Sequence, residues 1–303
     1  MFYGLLLGIL SSFFFSFTFI LNRSMSIGGG NYLWGAALRY VVMVPILYIY
    51  LKIAKKDQET HQVIKKDLSS WLLWSIIGFG IFYLAVCFGS NYGASWLVAG
   101  LWQFTIVAGV LLTPLFGKKI PKLNLSFSFF ILLGVFLLQI ENAKTLSIKE
   151  SVLSILSIGI AAFAYPLGNR KMMELSSHRI NTAQRVYGMA LCSMPMWIVV
   201  MIYAYFESGF PSISQLVQAS LVGLFSGVIA TLMFFKGTEI VRNNPAHLAI
   251  VESTIAGEIP FTLLGGVLFL DESFPTSLGW IGLIIVIAGM ILNSLSGVIT
   301  NKK

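Results

Sequence analysis

Residues 246–270, AHLAIVESTIAGEIPFTLLGGVLFL, decide how this chain is read. The stretch is long enough to cross a bilayer, since about 20 apolar residues rising roughly 1.5 Å each cover a ~30 Å hydrocarbon core. Yet it carries two carboxylates, Glu252 and Glu258, and a proline near its middle, Pro260. A charged side chain at mid-bilayer costs roughly 2.5–3.5 kcal/mol on insertion scales. A mid-helix proline leaves the carbonyl four residues back, here that of Ala256, without its donor. Backbone freed in this way is tolerated where it is buried in protein or lines a watered cavity. The stretch therefore reads as the wall of a polar site inside a membrane protein.

Composition agrees with that reading. Of 303 residues, 57% are hydrophobic and 11% charged, and the mean hydropathy is +0.84, well outside the range of soluble domains. The net charge of +8 does not indicate nucleic acid, because the Lys and Arg lie in short loops between apolar runs rather than on one amphipathic face. Cys87 and Cys192 sit inside apolar runs without ligand spacing and read as small buried hydrophobes. Nothing basic precedes the first apolar run and no A-x-A site follows it, so no cleaved signal peptide is expected.

Working outward, the apolar runs cover approximately 3–21, 31–51, 71–89, 93–114, 123–140, 150–168, 182–206, 215–235, 246–270 and 278–297. The expected fold is an all-α integral membrane protein with ten transmembrane helices. Of 20 Lys and Arg, 15 fall in the even-numbered loops and the C-terminal tail, against three in the odd-numbered loops: Arg23, Lys144 and Lys149. By the positive-inside rule both termini are cytoplasmic. The halves also repeat: VAGLWQFTIVAGVLL (98–112) and IAGEIPFTLLGGVLF (255–269) share seven of fifteen residues, and Ala37-Leu38-Arg39 matches Ala183-Gln184-Arg185. A repeat of five spans is odd, so the second copy is inverted. This gives two five-helix repeats, 1–148 and 149–303, in one membrane domain around a central cavity, an arrangement typical of secondary transporters.

Depth along the spans selects candidate site residues. Glu258 falls near midplane, Glu252 nearer the cytoplasmic end, and Gln103 near midplane in the fourth span, beside Trp102. Arg39 and Arg185 are intramembrane cations, and Arg185 matches the depth of Glu252; it either snorkels to the boundary or pairs with that carboxylate. Glu252 is structural or functional on equal terms. Tyr83, Tyr92, Tyr165 and Tyr187 are candidates for the cavity wall, although Tyr and Trp also populate interfacial belts. Gly4, Gly8, Ser12 and Ser16, and likewise Ala219, Gly223 and Gly227, recur every four residues and allow helices to approach closely. The basic segment 52–70 reads as a solvated loop, with a short helix on anionic lipid as the alternative. Pro45, Pro166 and Pro195 are expected to kink their helices.

No HExxH, GxSxG or GxxxxGK[ST] motif is present; His61 and His178 lie in loops, and His247 stands alone. An intramembrane enzyme, a lipid-handling protein and an ATP-driven pump are therefore disfavoured. No metal or cofactor is expected. The expected partners are a small-molecule substrate and the lipid bilayer, with a proton as candidate coupling ion and a homodimer as candidate assembly; nucleic acid is not expected.

Four segments resemble a known family: FTFILNRSM (17–25), YLWGAALRY (32–40) after a Gly-Gly pair, YPLGNRKMM (165–173) and NPAHLAIVESTIAGE (244–258). Over essentially the whole chain the pattern is similar to the drug/metabolite transporter superfamily, and within it to the bacterial multidrug resistance efflux transporter family. The resemblance implies a multi-pass protein of the bacterial inner membrane, with spans one to four and six to nine around a cavity and spans five and ten towards the periphery. It also implies export driven by protons or exchange. The distantly related four-span small multidrug resistance proteins use a glutamate in their first helix. The first span here has no acidic residue, so a coupling carboxylate must be Glu252 or Glu258. Export of drugs, and export of amino acids or other metabolites with Arg39 on a carboxylate and Glu258 on an amine, both remain open.

Overall fold

The computed structural model describes residues 1–117, 119–120, 122–142, 147–176, 179–241 and 244–300. Lys118, Lys144, His178, Arg242, Lys302 and Lys303, part of the charge and histidine reading above, lie outside the described residues. The elements among the described residues are helical. They are α1 (Phe2–Ile27), α2 (Tyr32–Ile53), α3 (Asp57–Lys66), α4 (Leu68–Gly89), α5 (Ser95–Leu111), α6 (Lys122–Asn142), α7 (Ile148–Ser176), α8 (Thr182–Ser208), α9 (Ile213–Val241), α10 (Pro245–Ser253), α11 (Glu258–Leu270) and α12 (Ser277–Thr300). Among the described residues nine helical segments are long and apolar enough to cross a membrane, and α5 is a further apolar helix, of 17 residues. This is an integral membrane architecture. Its apolar surface is the counterpart: Phe129, Phe136, Ile281 and Ile284 are exposed on α6 and α12, where a soluble protein would place charge.

Helix pairing follows the small residues. α1 lies against α9 and α10/α11: a Cβ at Gly4 would meet the Gly237 carbonyl at 3.1 Å and Val251, Gly8 faces Thr254, and Ser12 lies under Gly257. α4 crosses α7 backbone to backbone at Gly78 and Gly168. α2 and α8 run antiparallel. Trp34 Nε1 donates to the Gly209 carbonyl at 3.0 Å, Tyr40 stacks on Trp197 with ring centroids 4.9 Å apart, and Gln184 Nε2 donates to the Lys56 carbonyl at 3.2 Å. α6 and α12 run antiparallel at the edge, with Asn124 Nδ2 donating to Asn293 Oδ1 at 2.9 Å and the Thr276 N–H donating to Glu141 at 2.9 Å.

The structure bears on three local expectations. The segment 52–70 contains a helix, α3, with Asp57 and Glu59 in its first turn and Lys65 and Lys66 in its last, complementing the helix dipole. It is held because Gln184 Nε2 also reaches Glu59 at 2.9 Å and Thr60 at 3.1 Å. Helices α2, α7 and α8 continue through Pro45, Pro166 and Pro195. Irregular backbone sits elsewhere: π-helical turns at Ile76–Ile81 in α4 and Gly223–Ala230 in α9, a break at Gln103 in α5, and a 3-10 turn at Thr254–Gly257. Pro260 then falls in the first turn of α11, where backbone N–H groups lack intrahelical acceptors in any helix. The 3-10 turn lies just before Pro260, whose ring carries no N–H for the Ala256 carbonyl four residues back.

Candidate functional site

The irregular turns converge on one cavity of about 290 Å³. Phe79 from the α4 π turn, Ser226 from the α9 π turn, Gln103 from the α5 break and Glu258 from the start of α11 all line it. A π turn loosens the regular ladder, and here the displaced carbonyls find local donors. The Tyr40 hydroxyl donates to the Phe79 carbonyl at 3.0 Å, and the Thr231 hydroxyl to that of Ser226 at 3.1 Å. The rest of the wall is largely aromatic: Phe15, Phe19, Phe82, Trp102, Tyr165, Phe234 and Phe235.

A carboxyl and a guanidinium face this space. Glu258 is 4% exposed, with the Gln103 side chain as its polar neighbour; Gln103 Nε2 also donates to the Ala99 carbonyl at 3.1 Å. Arg39 is 8% exposed. Its guanidinium lies 4.1 Å from the Tyr83 ring centroid and 5.9 Å from that of Tyr40, and one Nη donates to the Ser226 hydroxyl at 3.3 Å. Thr18 donates its own hydroxyl to the same Ser226 oxygen at 2.5 Å. Tyr83 is fixed by Asn22, whose Nδ2 donates to its hydroxyl at 3.1 Å. The ion pairs Lys56–Glu59, Lys171–Glu174 and Lys236–Glu239 are solvent-facing neighbours in sequence, and among the described residues none joins Arg39 to Glu258.

Of the residues singled out in the sequence, Glu258, Arg39, Gln103, Trp102 and Tyr165 meet at the cavity, and Tyr83 supports Arg39 from behind. Glu252 and Tyr187 do not line it. Tyr187 shares a 3.0 Å hydrogen bond with His61 Nε2 beside Tyr48. Tyr92 stacks edge-on against Phe88 near the start of α5. Glu252 is exposed on a second, polar recess of about 770 Å³ with Tyr50, Asn181, Thr182, Lys236 and Glu239, at the end of the bundle that carries α3. Phe235 borders both spaces. Of the two alternatives for Arg185, pairing with Glu252 is not seen: Arg185 is half-buried, and among the described residues neither an ion pair nor a hydrogen bond links the two. Similar depth placed them at one level of the membrane, but depth carries no information about the angle around the bundle.

At the other end the helices are tied together. Arg23 donates to the Asn91 carbonyl at 3.0 Å, and Asn31 Nδ2 donates to Glu207 at 3.0 Å. Glu272 accepts the Ser95 N–H at 2.6 Å and the Ser95 hydroxyl at 2.7 Å, so its carboxylate caps the start of α5. Sequence reasoning missed Ser226, Thr18 and the phenylalanines of the wall. Ser226, a polar residue inside an apolar run, was a usable signal. Phe15 and Phe19 were not, because an apolar helix shows phenylalanine equally to lipid and to a cavity.

A multi-pass helical protein with a largely enclosed aromatic cavity that holds charged groups at membrane depth has the architecture of a membrane transporter. The chain belongs to the family described as "EmrE: Putative multidrug resistance efflux transporter", whose family model matches residues 3–298. It is 44% identical over 304 residues to "Uncharacterized protein YjlA" of Bacillus subtilis (strain 168), covering 96% of this chain and 94% of that protein. It is 42% identical over 265 residues to "Uncharacterized 42.1 kDa protein in intracellular alkaline protease 3'region" of Shouchella clausii, covering 84% and 70%. A solved structure described as "Crystal structure of protein" shares the fold, with a TM-score of 0.64 at 14% identity over 98% of each chain.

Proposed function

We propose that this protein is a secondary active exporter of small organic solutes that works by alternating access, with Glu258 as the coupling carboxylate. The observation that carries the reading is Glu258 itself: a buried carboxylate on the wall of an aromatic cavity, with no cationic side chain bonded to it among the described residues. An isolated buried charge is costly unless it is neutralised. A proton and a cationic substrate group would each neutralise it, and exclusion of one by the other couples the two fluxes.

Two further elements complete the proposal. The chain has ten spans in two inverted repeats, 1–148 and 149–303, related by a pseudo-two-fold axis. Matched helix pairs support this: α1 crosses α9 as α7 crosses α4, with glycines at each crossing though not at equivalent positions, and the antiparallel pairs α2/α8 and α6/α12 join corresponding spans. The α3 end faces the cytoplasm, as the loop charges favour, and the recess at Glu252 is the cytoplasmic mouth of an inward-facing state closed outside by the Glu272–Ser95 and Arg23–Asn91 contacts. A reporter in residues 52–70 found outside the cell would reverse this orientation.

The test uses proteoliposomes carrying an internal pH dye, challenged with dyes, amino acids and nucleobases under an imposed pH gradient. Wild-type protein should move protons when a transported compound is added. Glu258→Gln retains the size of the side chain and some of its hydrogen bonding but removes titration. It should express and fold normally and lose at least tenfold of the substrate-dependent proton movement. Unchanged proton movement in that variant would overturn the assignment and direct attention to Glu252.

A further inference from the structure

Arg39 is the part of the cavity that an exporter of simple cations leaves unexplained. Its guanidinium is charged at every accessible pH and carries five donors. In this fold it is enclosed, its Nε has no hydrogen-bond partner, and no carboxylate lies within ion-pair distance among the described residues. What holds it is one 3.3 Å bond to a serine hydroxyl and the face of Tyr83. A serine hydroxyl and an aromatic face hold a guanidinium more weakly than the bidentate carboxylate its planar fork matches. A fixed buried cation with an unused donor, facing a cavity, is a binding position for an anion.

The anion cannot stand alone, because Glu258 faces the same cavity with no bond to Arg39. A ligand with only a negative charge leaves Glu258 to a proton alone, with no substrate group to compete for it, and one with only a positive charge leaves Arg39 without a counter-charge and adds repulsion. A ligand with one charge of each sign neutralises both walls. On the same wall, Phe82, Trp102 and Tyr165 form a cluster with centroids 4.8–5.6 Å apart, a surface for a flat apolar body. The space, about 290 Å³, is at the lower end of the roughly 300–1,000 Å³ of small-molecule sites.

Resting on the transporter reading above, we infer that the substrate is a compact zwitterion with an apolar or aromatic body, its carboxylate bound at Arg39 and its ammonium at Glu258. The ammonium is then the group that competes with the proton, and the carboxylate is the group that separates this substrate from the cationic drugs named for the family.

Three probes with one body decide it: L-phenylalanine, phenethylamine without the carboxylate, and 3-phenylpropionate without the amine. Binding to purified wild-type protein should be at least tenfold tighter for phenylalanine than for either relative. Arg39→Met should bring phenylalanine and phenethylamine to within about twofold of each other, and Glu258→Gln should do the same for phenylalanine and phenylpropionate. Ser226→Ala, which removes the hydroxyl that orients Arg39 while keeping the charge, should reduce the phenylalanine preference severalfold and serves if Arg39→Met does not fold. Phenethylamine bound as tightly as phenylalanine by wild-type protein, or no binding of phenylalanine, overturns the zwitterion. In either case, substrate-dependent proton movement that Glu258→Gln abolishes leaves the exporter reading intact, whereas its absence for every compound removes that reading separately.

Discussion

Helix α5 and the α10–α11 helix occupy matching sequence positions and share seven of fifteen residues, yet they bring different chemistry to one cavity. Both are interrupted where they border it, α5 at Gln103 and the other at Thr254–Gly257. The first presents a neutral amide and the second a carboxylate. The two matched arginines diverge in the same way. Arg39 is enclosed against Tyr83 and Ser226, whereas Arg185 is half-buried, close to the α3 end, and outside the cavity wall. The small-residue crossings and interrupted helices, which set the frame, are shared by the halves; the charges, which set the chemistry, are not. Under the zwitterion proposal, such a cavity would hold an asymmetric ligand in one orientation.

The comparison is broken most severely at the helix crossings. A Cβ at Gly168 would collide with the backbone of Gly78, whereas one at Gly237 would meet the Gly4 carbonyl at 3.0 Å. Forcing two packed backbones apart costs about 1–3 kcal/mol. Gly168→Ala should therefore lower the yield of folded protein and its thermal midpoint clearly more than Gly237→Ala. Equal losses would mean that the two crossings are energetically equivalent despite their different closeness.

A smaller effect is expected at the start of α8, where the halves differ by the attachment of α3. Gln184 closes a capping box with Asn181 and donates to Lys56, Glu59 and Thr60. Gln184→Ala should cost about 1 kcal/mol, the usual loss of a helix cap, and should raise amide exchange in α3. The Glu59 carboxyl is held below the usual carboxylate range by the Gln184 amide and by Lys56. A lowered folded-state pKa stabilises above the unfolded value and ceases to do so as pH falls through the folded one. The α3 attachment should thus loosen only as pH falls below the ordinary glutamate range, and Glu59→Gln should remove that dependence. Because Glu59 is largely exposed, its contribution is slight.

The smallest effect concerns Arg185 and Glu252. Because they make no contact, Arg185→Met and Glu252→Gln should be additive in thermal stability to within about 0.3–0.5 kcal/mol, the margin for independent sites. A double variant more stable than either single one would show that the two pair in another conformation.

Membrane insertion, the position of the helices and the presence of a polar site at Glu258 were legible in the sequence, because an apolar run either crosses hydrocarbon or does not, and a carboxylate inside one is costly enough to mark itself. The family was legible too, because four local segments, 17–25, 32–40, 165–173 and 244–258, carry the resemblance. Tertiary structure alone decided which polar residues share a space. Glu252 and Tyr187 were candidates alongside Arg39 and Tyr165, and depth together with the angular placement of their helices separates a recess at the end of the bundle from the cavity at its centre. It also placed the interruption of this span at Thr254–Gly257, with Ser12 of α1 packed at Gly257 and Pro260 in the first turn of α11. Sequence spacing fixes depth along a helix axis, but the rotation of one helix against another is set by side chains distant in the chain.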